Sequence, residues 1–558
     1  MDSDVLIVGA GPVGLTAATE LVRHGMRVRV VDRLAAPPQY AKAVGIQPRT
    51  LEMWERSGLL ADALDEAIPM RGQIVYVDGA LVARMDLHLP PDVPFGFMSL
   101  PQYVTERLLA AQLARHGAAV ERPVELVGFE QDAEGVTARL RTPDGERVER
   151  AAFMVGADGA HSAVRKGLGL DFSGDAFSEE YMLGDVEVDW TQPPGYGVRS
   201  IRHREGLPDD VLVAIALPGR QRYRISMLAP PELATVATES VAHGMEAGHA
   251  PELHHVQTVL DRLAPEPATA HSLRWSSVFR ISHRIVDRYG VGRVFVAGDA
   301  AHIHPPTGAQ GMNTGIQDAM NLAWKLSLAV RGVAAPGLLE SYDAERRPVG
   351  EEVVGRTVRH ARAGFEADPD DPSTVMRREA QLLVNYRESP VVSGDGFAAA
   401  GPTAPRPGDR APDCRALRRP GVTGPVRLFG VLAGTSHTLL YYADRAEHVD
   451  AVAALSSSAA NWPAPLRLLV VLAPSLDVDP LLVGAPCLLD DGEFAAAYGA
   501  RGGDGVVVRP DGYLGLVAHP LTVEDLAEHL RRVAGSPLVP RASTGGAGVD
   551  ADGLRAPR

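Results

Sequence analysis

The chain has 558 residues of ordinary globular composition, 45% hydrophobic and 22% charged, and its 55 basic and 70 acidic residues leave a formal net charge of −15. That balance, with no long single-sign run, argues against nucleic acid or an anionic membrane surface as partner and predicts a small-molecule ligand. The length predicts roughly three or four domain-sized units, and two cysteines, Cys414 and Cys487, are too few for a disulfide framework, which predicts a reducing, cytoplasmic setting.

The amino terminus, MDSDVLIVGAGPVGL, has no basic leader, and its apolar run breaks at Gly9 after four residues, unlike a signal peptide. No stretch reaches the ~18 apolar residues of a membrane span. Val5–Val8 instead reads as a buried parallel strand. GAGPVG follows, setting Gly9, Gly11 and Gly14 in a G-x-G-x-x-G with Pro12 and Val13 between them. Leu15, Ala18, Leu21 and Val22 then fall at helical spacing, and a second strand, Val28–Val31, ends in Asp32, 18 residues after Gly14. Strand, glycines, helix, strand and acid in that order predict an adenine dinucleotide site. Gly11 lets backbone approach a pyrophosphate, the helix N-terminus offers unpaired N–H groups, and Asp32 accepts a ribose hydroxyl.

Further along, AKAVGIQPRTLE (41 to 52) and LPQYVTERLL (100 to 109) read as a loop–helix and a helix. MVGADGAHSAVRKGLG (154 to 169) places Asp158 and Gly159 after an apolar segment. From about 175 to 280 the pattern alternates with period two, as in VLVAIALPGRQRYRISML, which predicts an antiparallel sheet. Arg199, Arg202, His203, Arg220, Arg222 and Arg224 gather there. They could steer an anionic ligand, but the alternation favours a solvent face for them. GRVFVAGDAAH (292 to 302) adds a third strand, ending in Gly298-Asp299, and is followed by IHPPTGAQGMN and a helix carrying Ile316, Ala319, Ala323, Leu326 and Val330 on one predicted buried face. His302 and His304 alternate like metal ligands, but without a nearby cysteine or carboxylate pattern structural hydrogen bonding is the better reading.

GAGPVG with Asp32-Arg33, the Asp-Gly at 158 and 159 and the Gly-Asp at 298 and 299, in this order, resemble the FAD-dependent aromatic hydroxylases, the single-component flavoprotein monooxygenases, from residue 4 to about 350. The resemblance implies an α/β fold: a Rossmann-like FAD-binding domain at 1–174 and 276–400 and a middle antiparallel substrate domain at 175–275. It implies FAD as cofactor, with Asp299 on the ribityl chain, Pro305 and Pro306 beside the ring, and amides around Gly311, Met312 and Asn313 at its N1/O2 edge, where reduced flavin carries charge. It also implies cofactor roles for Gln102, Arg107 and Leu126, and for Lys42, which stands where many relatives carry Arg and is a poorer fork. Ala309 stands where relatives often carry glycine.

GPTAPRPGDRAPDC (401 to 414) reads as a linker into a further unit at 401–538, with strands LRLLVVL (466 to 472) and VVVRPDGYLGLVA (506 to 518) and a helix capped by Thr522 and Asp525. It resembles the thioredoxin-like C-terminal domain of phenol and aromatic-polyketide hydroxylases. Cys414 and Cys487 lie 73 positions apart and form no C-x-x-C, which predicts a structural or dimer-forming role. Residues 539–558 read as a disordered tail.

The implied activity is NAD(P)H- and O2-dependent hydroxylation of an aromatic, phenolic substrate through a flavin C4a-hydroperoxide, with a polycyclic polyketide-type ring the favoured substrate. Baeyer–Villiger oxygen insertion and catabolic hydroxylation of a simple phenol stay open. No second dinucleotide motif appears, so the nicotinamide cofactor is expected to bind transiently, and the five isolated tryptophans lack the W-x-W of flavin halogenases. No catalytic base is evident, and monomer and homodimer are both compatible.

Overall fold

The computed structural model describes residues 1–40, 42–205, 209–229, 250–363, 370–396 and 404–535. Ser3–Val8 forms a central strand, hydrogen-bonded in parallel to Val28–Val31 on one side and to Gly145–Gly156 on the other, with Val294–Val296 parallel beyond it. Val5, Leu6, Ile7, Val30 and Val294 are fully buried, as expected of a sheet covered on both faces. Because these strands run the same way, all three motifs leave from one edge of the sheet, at the carboxyl ends where open α/β sheets place their ligands.

A second sheet runs antiparallel through Phe172–Asp189, Tyr196–Arg202, Asp210–Ala216, Arg222–Leu228 and Thr269–Val286, matching the alternation. Its extent corrects the expected middle domain. Phe172–Asp189 and Thr269–Val286 each run across an expected boundary, and a hairpin from Gly72–Val77 and Ala80–Asp86 joins in parallel at Tyr196–Arg202. One face packs on the helix Leu253–Leu263 through Met182, Val186, Leu212, Ile225 and Leu260.

The C-terminal unit is a mixed seven-stranded sheet. His437–Ala443, Leu466–Leu472 and Cys487–Leu489 are parallel, and the hairpin Gly505–Val508/Leu514–Ala518 pairs antiparallel to the first. Its turn, Arg509 to Gly512, contains Pro510, and Thr522 and Asp525 form the expected capping box. Cys414 and Cys487 are buried and not disulfide-bonded. The tail expected at 539–558 lies outside the described residues.

The segment read as a linker is not a loose connector where it is described. Gly408 accepts from the Tyr386 amide and donates to Leu514, and Arg410 grips Glu52 with two contacts. Beside it the Arg509–Tyr513 turn is plugged into the FAD-binding half. Arg509, 1% exposed, bonds both oxygens of Glu345 at 2.8 Å and also Asp511. Glu345 holds Lys325, and Asp511 accepts from Asn321 and Trp324. This seam changes the picture of the helix Gly311–Val330. Expected to bury one face, it is buried from Asn313 to Leu328 on every side, and Asn321, Lys325 and Asp318 find partners on the covering domain or on the helix Glu340–Ala363.

Candidate functional site

The glycine motif sorts into two roles. A Cβ at Gly9 (φ +101°) would fall 2.3 Å from the Ala157 carbonyl oxygen, and one at Gly14 would fall 2.0 Å from that of Gly9. These two glycines let the turn, the first helix (Pro12–Arg23) and the neighbouring strand close together. A Cβ at Gly11 would meet nothing within 4 Å. Gly11 therefore borders open space at the helix N-terminus, and Pro12 supplies a first helical residue that needs no N–H partner. Among the described residues no side chain caps this helix, which carries no acid in its first turn. Its leading amides are a built cradle for a diphosphate, so the residues present fit an adenine dinucleotide.

Asp32 is 12% exposed and accepts from the Ala10 amide (2.8 Å), the Leu34 amide (2.9 Å) and Arg122 Nη1 (2.7 Å). Arg33 points to solvent. Leu126 is buried in the strand Glu125–Gln131, and the neighbouring Val124 amide donates to the Asp32 carbonyl.

Val13 ties the first motif to the third. A Cβ at Gly298 (φ +62°) or Gly315 would fall 2.7 or 2.6 Å from its Cγ2, so the N-terminal ends of the two long helices pack on each other. Among the described residues the helix Gly311–Val330 also has no side-chain cap, and it carries no first-turn acid. Two uncapped helix N-termini and the exposed Asp299 thus share one edge of the sheet. Asp299 is 37% exposed and ion-paired to Lys42 Nζ at 2.8 Å. Asp158 is committed locally: it accepts from Ser162 Oγ and the Ala163 and Val164 amides at the start of the helix Ala163–Gly167, and burial raises its pKa.

The loop between Asp299 and the helix is held on all sides. Asn313, fully buried, accepts from the Gln47 amide and Thr50 Oγ1 and donates to the carbonyls of Gly45 and Ala309. Its side chain is thus structural, and Met312 is half-buried beside it. Pro306 is exposed. Ala309, the non-glycine in the loop, sits at φ +54° next to Gly308 at +73°, left-handed backbone that explains a glycine preference there. His302 Nε2 bonds Asp318 at 2.9 Å, and Asp318 also accepts the Gly298 amide and Arg346 Nε, the structural role expected for this histidine. His304 Nδ1 lies 2.8 Å from the Pro305 carbonyl oxygen. Burial pulls the His304 pKa down to about 4, so Nδ1 donates that bond and the imidazole is neutral at pH 7.

Gln102 receives the Ala43 amide and donates to Glu106 Oε1, beside the loop carrying Lys42. Arg107 does not join this group; it is 57% exposed and paired with Glu66 of the helix Leu60–Glu66.

The solvent-face reading of the roof-sheet arginines fails at two positions. Arg222 and Arg224 are each 7% exposed. The helix Leu253–Leu263 covers one face of the sheet, and the segments carrying Tyr103 and Lys42 reach the other at these two arginines. Arg222 forks onto Asp185 and reaches Tyr103 Oη at 2.8 Å; Arg224 Nη1 donates to the Lys42 carbonyl at 2.7 Å. Cross-strand register sets Ile215, Arg224, Asp185 and Trp275 in one row of this inner face and Val213, Ser226, Leu183 and Ser277 in the next. Trp275 meets the Tyr40 ring at 5.8 Å, and Ile215 packs with Val44 and Leu217. The sequence reading missed Tyr40, Tyr103, Trp275 and Gln47; the period-two parity shared by Trp275 and Ser277 was the one local signal for any of them.

The model of the family described as FAD binding domain matches residues 2–357. A flavin-dependent monooxygenase of Mycobacteroides abscessus is 34% identical over 95% of this chain and 99% of its own length. The 6-methylpretetramide 4-monooxygenase of Streptomyces rimosus is 33% identical over 99% and 97%. A crystal structure of aklavinone-11 hydroxylase with FAD and aklavinone superposes with a TM-score of 0.75 at 27% identity, covering 95% of this chain and 98% of that one.

Proposed function

Because the chain belongs to the FAD binding domain family of flavin-dependent aromatic monooxygenases, we propose that it hydroxylates a polycyclic, phenolic polyketide-type substrate, using NAD(P)H as reductant and O2 as oxygen donor. FAD, when bound, accepts the hydride and activates O2. The observation that carries the reading is the convergence of two uncapped helix N-termini, the open face of Gly11 and exposed Asp299 at one edge of the sheet, beneath a roof that turns aromatic side chains inward.

In this reading the amides beyond Gly11 hold the pyrophosphate and Asp32 holds the adenosine ribose. Asp299 serves the ribityl chain, with Lys42 held beside it by their ion pair. The amides of Gly311, Met312 and Asn313 stabilise negative charge on the reduced ring, since helix N-terminal N–H groups favour an anion. The inner face of Trp275, Leu183 and Ile215 takes the flat substrate, while buried Arg224, still cationic at neutral pH, favours an acidic oxygen on it. The C-terminal unit is a thioredoxin-like scaffold without dithiol chemistry, its two thiols buried and apart.

The test is a purified preparation assayed for released FAD, then for NADPH and NADH oxidation against a panel of polycyclic and simple phenols. Product mass raised by one oxygen, coupled to O2 use and best with a polycyclic phenol, is expected. FAD-loaded protein that consumes NAD(P)H at one uncoupled rate with every phenol would refute the reading.

A further inference from the structure

Behind the loop that carries Gly308 to Gly311 lies a cluster of polar side chains that the proposed chemistry does not use. Gln381 follows the helix Pro372–Glu379, is 2% exposed and holds φ +59°, a left-handed conformation unusual for a glutamine. Its amide is fully engaged with the start of the helix Gly311–Val330. Nε2 donates to Gln310 Oε1 (2.8 Å) and Thr314 Oγ1 (2.9 Å), and Oε1 accepts from Gln317 Nε2 (2.5 Å). Gln310, fully buried, returns its own Nε2 to Glu379 Oε2 (2.9 Å) and to the carbonyls of Glu379 and Gly308. Glu379 is anchored by Arg356 at 2.6 Å, and its Oε2 occupies the place a Gly308 side chain would take, 2.4 Å from that Cβ.

A buried polar cluster of this kind is demanding, because each group must find a partner or lose about 1–3 kcal/mol. An apolar plug would fill the same volume without that demand. What the polar set adds is direction: it fixes Gln310 and the two left-handed residues before it against a rigid helix.

We propose that Gln381 and Glu379 are positioning residues for the cofactor loop, locking the turn at 308–311 so that the leading amides of the helix are aimed before flavin binds. This inference rests on the proposed placement of the reduced ring at those amides. Preorganised donors act without reorganisation at the moment of reaction, so a loop that can sag loses part of their effect on electron transfer.

Two variants test it, each read by amide hydrogen exchange over 308–314 in the flavin-free protein and by the flavin midpoint potential and anaerobic reduction rate in the loaded one. Gln381→Gly deletes the amide and relieves the left-handed strain, which offsets part of the cost of unpairing Gln310, Thr314 and Gln317. Glu379→Gln keeps the shape but weakens the hold of Arg356. Both should speed exchange in 308–314 at least about tenfold, and lower the potential and slow reduction by roughly 10- to 100-fold. Unchanged exchange, or faster exchange with a wild-type potential, overturns the proposal. Should Gln381→Gly melt early, Glu379→Gln decides by the same readouts. Wild-type protein that binds no FAD would refute the proposed function instead, leaving the exchange result to judge the clamp.

Discussion

Replacing Arg509 by methionine removes one cation from a closed charge account inside the seam between the C-terminal unit and the FAD-binding half. The side chains of Arg509, Lys325, Glu345 and Asp511 are all within 1% of full burial and sum to zero charge. Without Arg509, Glu345 keeps Lys325 at 2.8 Å, Asn321 at 2.6 Å and Ser389 at 2.5 Å, so most of the loss falls on Asp511. Among the described residues, the side-chain hydrogen bonds left to Asp511 come from the neutral donors Asn321 and Trp324, each at 3.2 Å. One uncompensated buried carboxylate costs about 3–5 kcal/mol. The double variant Arg509→Met/Asp511→Asn restores neutrality: Lys325–Glu345 stays intact, and an asparagine can still accept from Trp324. It should recover at least about 1 kcal/mol of that loss, a coupling expected between contacting residues. Urea unfolding of flavin-free protein, followed by fluorescence, measures both. A single variant costing under about 1 kcal/mol, or a double variant no better than the single, would refute the charge-balance reasoning.

Three further outcomes are expected. Asp32→Ala should weaken FAD binding roughly 10- to 100-fold in a fluorescence titration, since a charge-assisted hydrogen bond is lost; unchanged affinity would sink the ribose assignment. Gly311 is the first helical residue and follows Gln310 at φ −80°, ψ −34°. Gly311→Pro therefore deletes one amide and disfavours the conformation of Gln310, and should slow flavin reduction about 10²–10³-fold, whereas Gly311→Ala, whose Cβ lies 3.3 Å from His304 Nε2, keeps the amide and should stay near wild type. Burial raises the Glu106 pKa from an ordinary 4.5 to about 7, so the folded state keeps a proton that the unfolded state releases. Stability should fall as pH rises from about 4.5 to 7, by up to about 3 kcal/mol, and Glu106→Gln should flatten that slope in pH-dependent melts; an unchanged slope would put the cause elsewhere.

Local chemistry was legible where it is written in adjacent residues. The three motif turns, the strand Leu466–Leu472, the Pro510 turn and the Thr522–Asp525 cap all lie where spacing set them. What escaped depends on distant partners. Alternation along Arg222–Leu228 reports two unlike faces and cannot say that the arginine face is covered by Tyr103 and the loop at Lys42. The hairpin Gly72–Val77/Ala80–Asp86 joins the roof from more than a hundred residues away. The burial of Lys325 inside an apolar-looking helix reflects Glu345 on another helix and the Arg509 turn behind it.

The division of labour among Gly9, Gly11 and Gly14 separates two quantities that a mutant library usually confounds. Side chains at positions 9 and 14 collide with backbone at 2.3 and 2.0 Å, so such clones should yield little soluble protein of any kind. Position 11 borders open space, so small substitutions there should give normal yields of colourless protein. Sorting a saturation library by expression on one axis and yellow colour on the other would separate position 11 from positions 9 and 14.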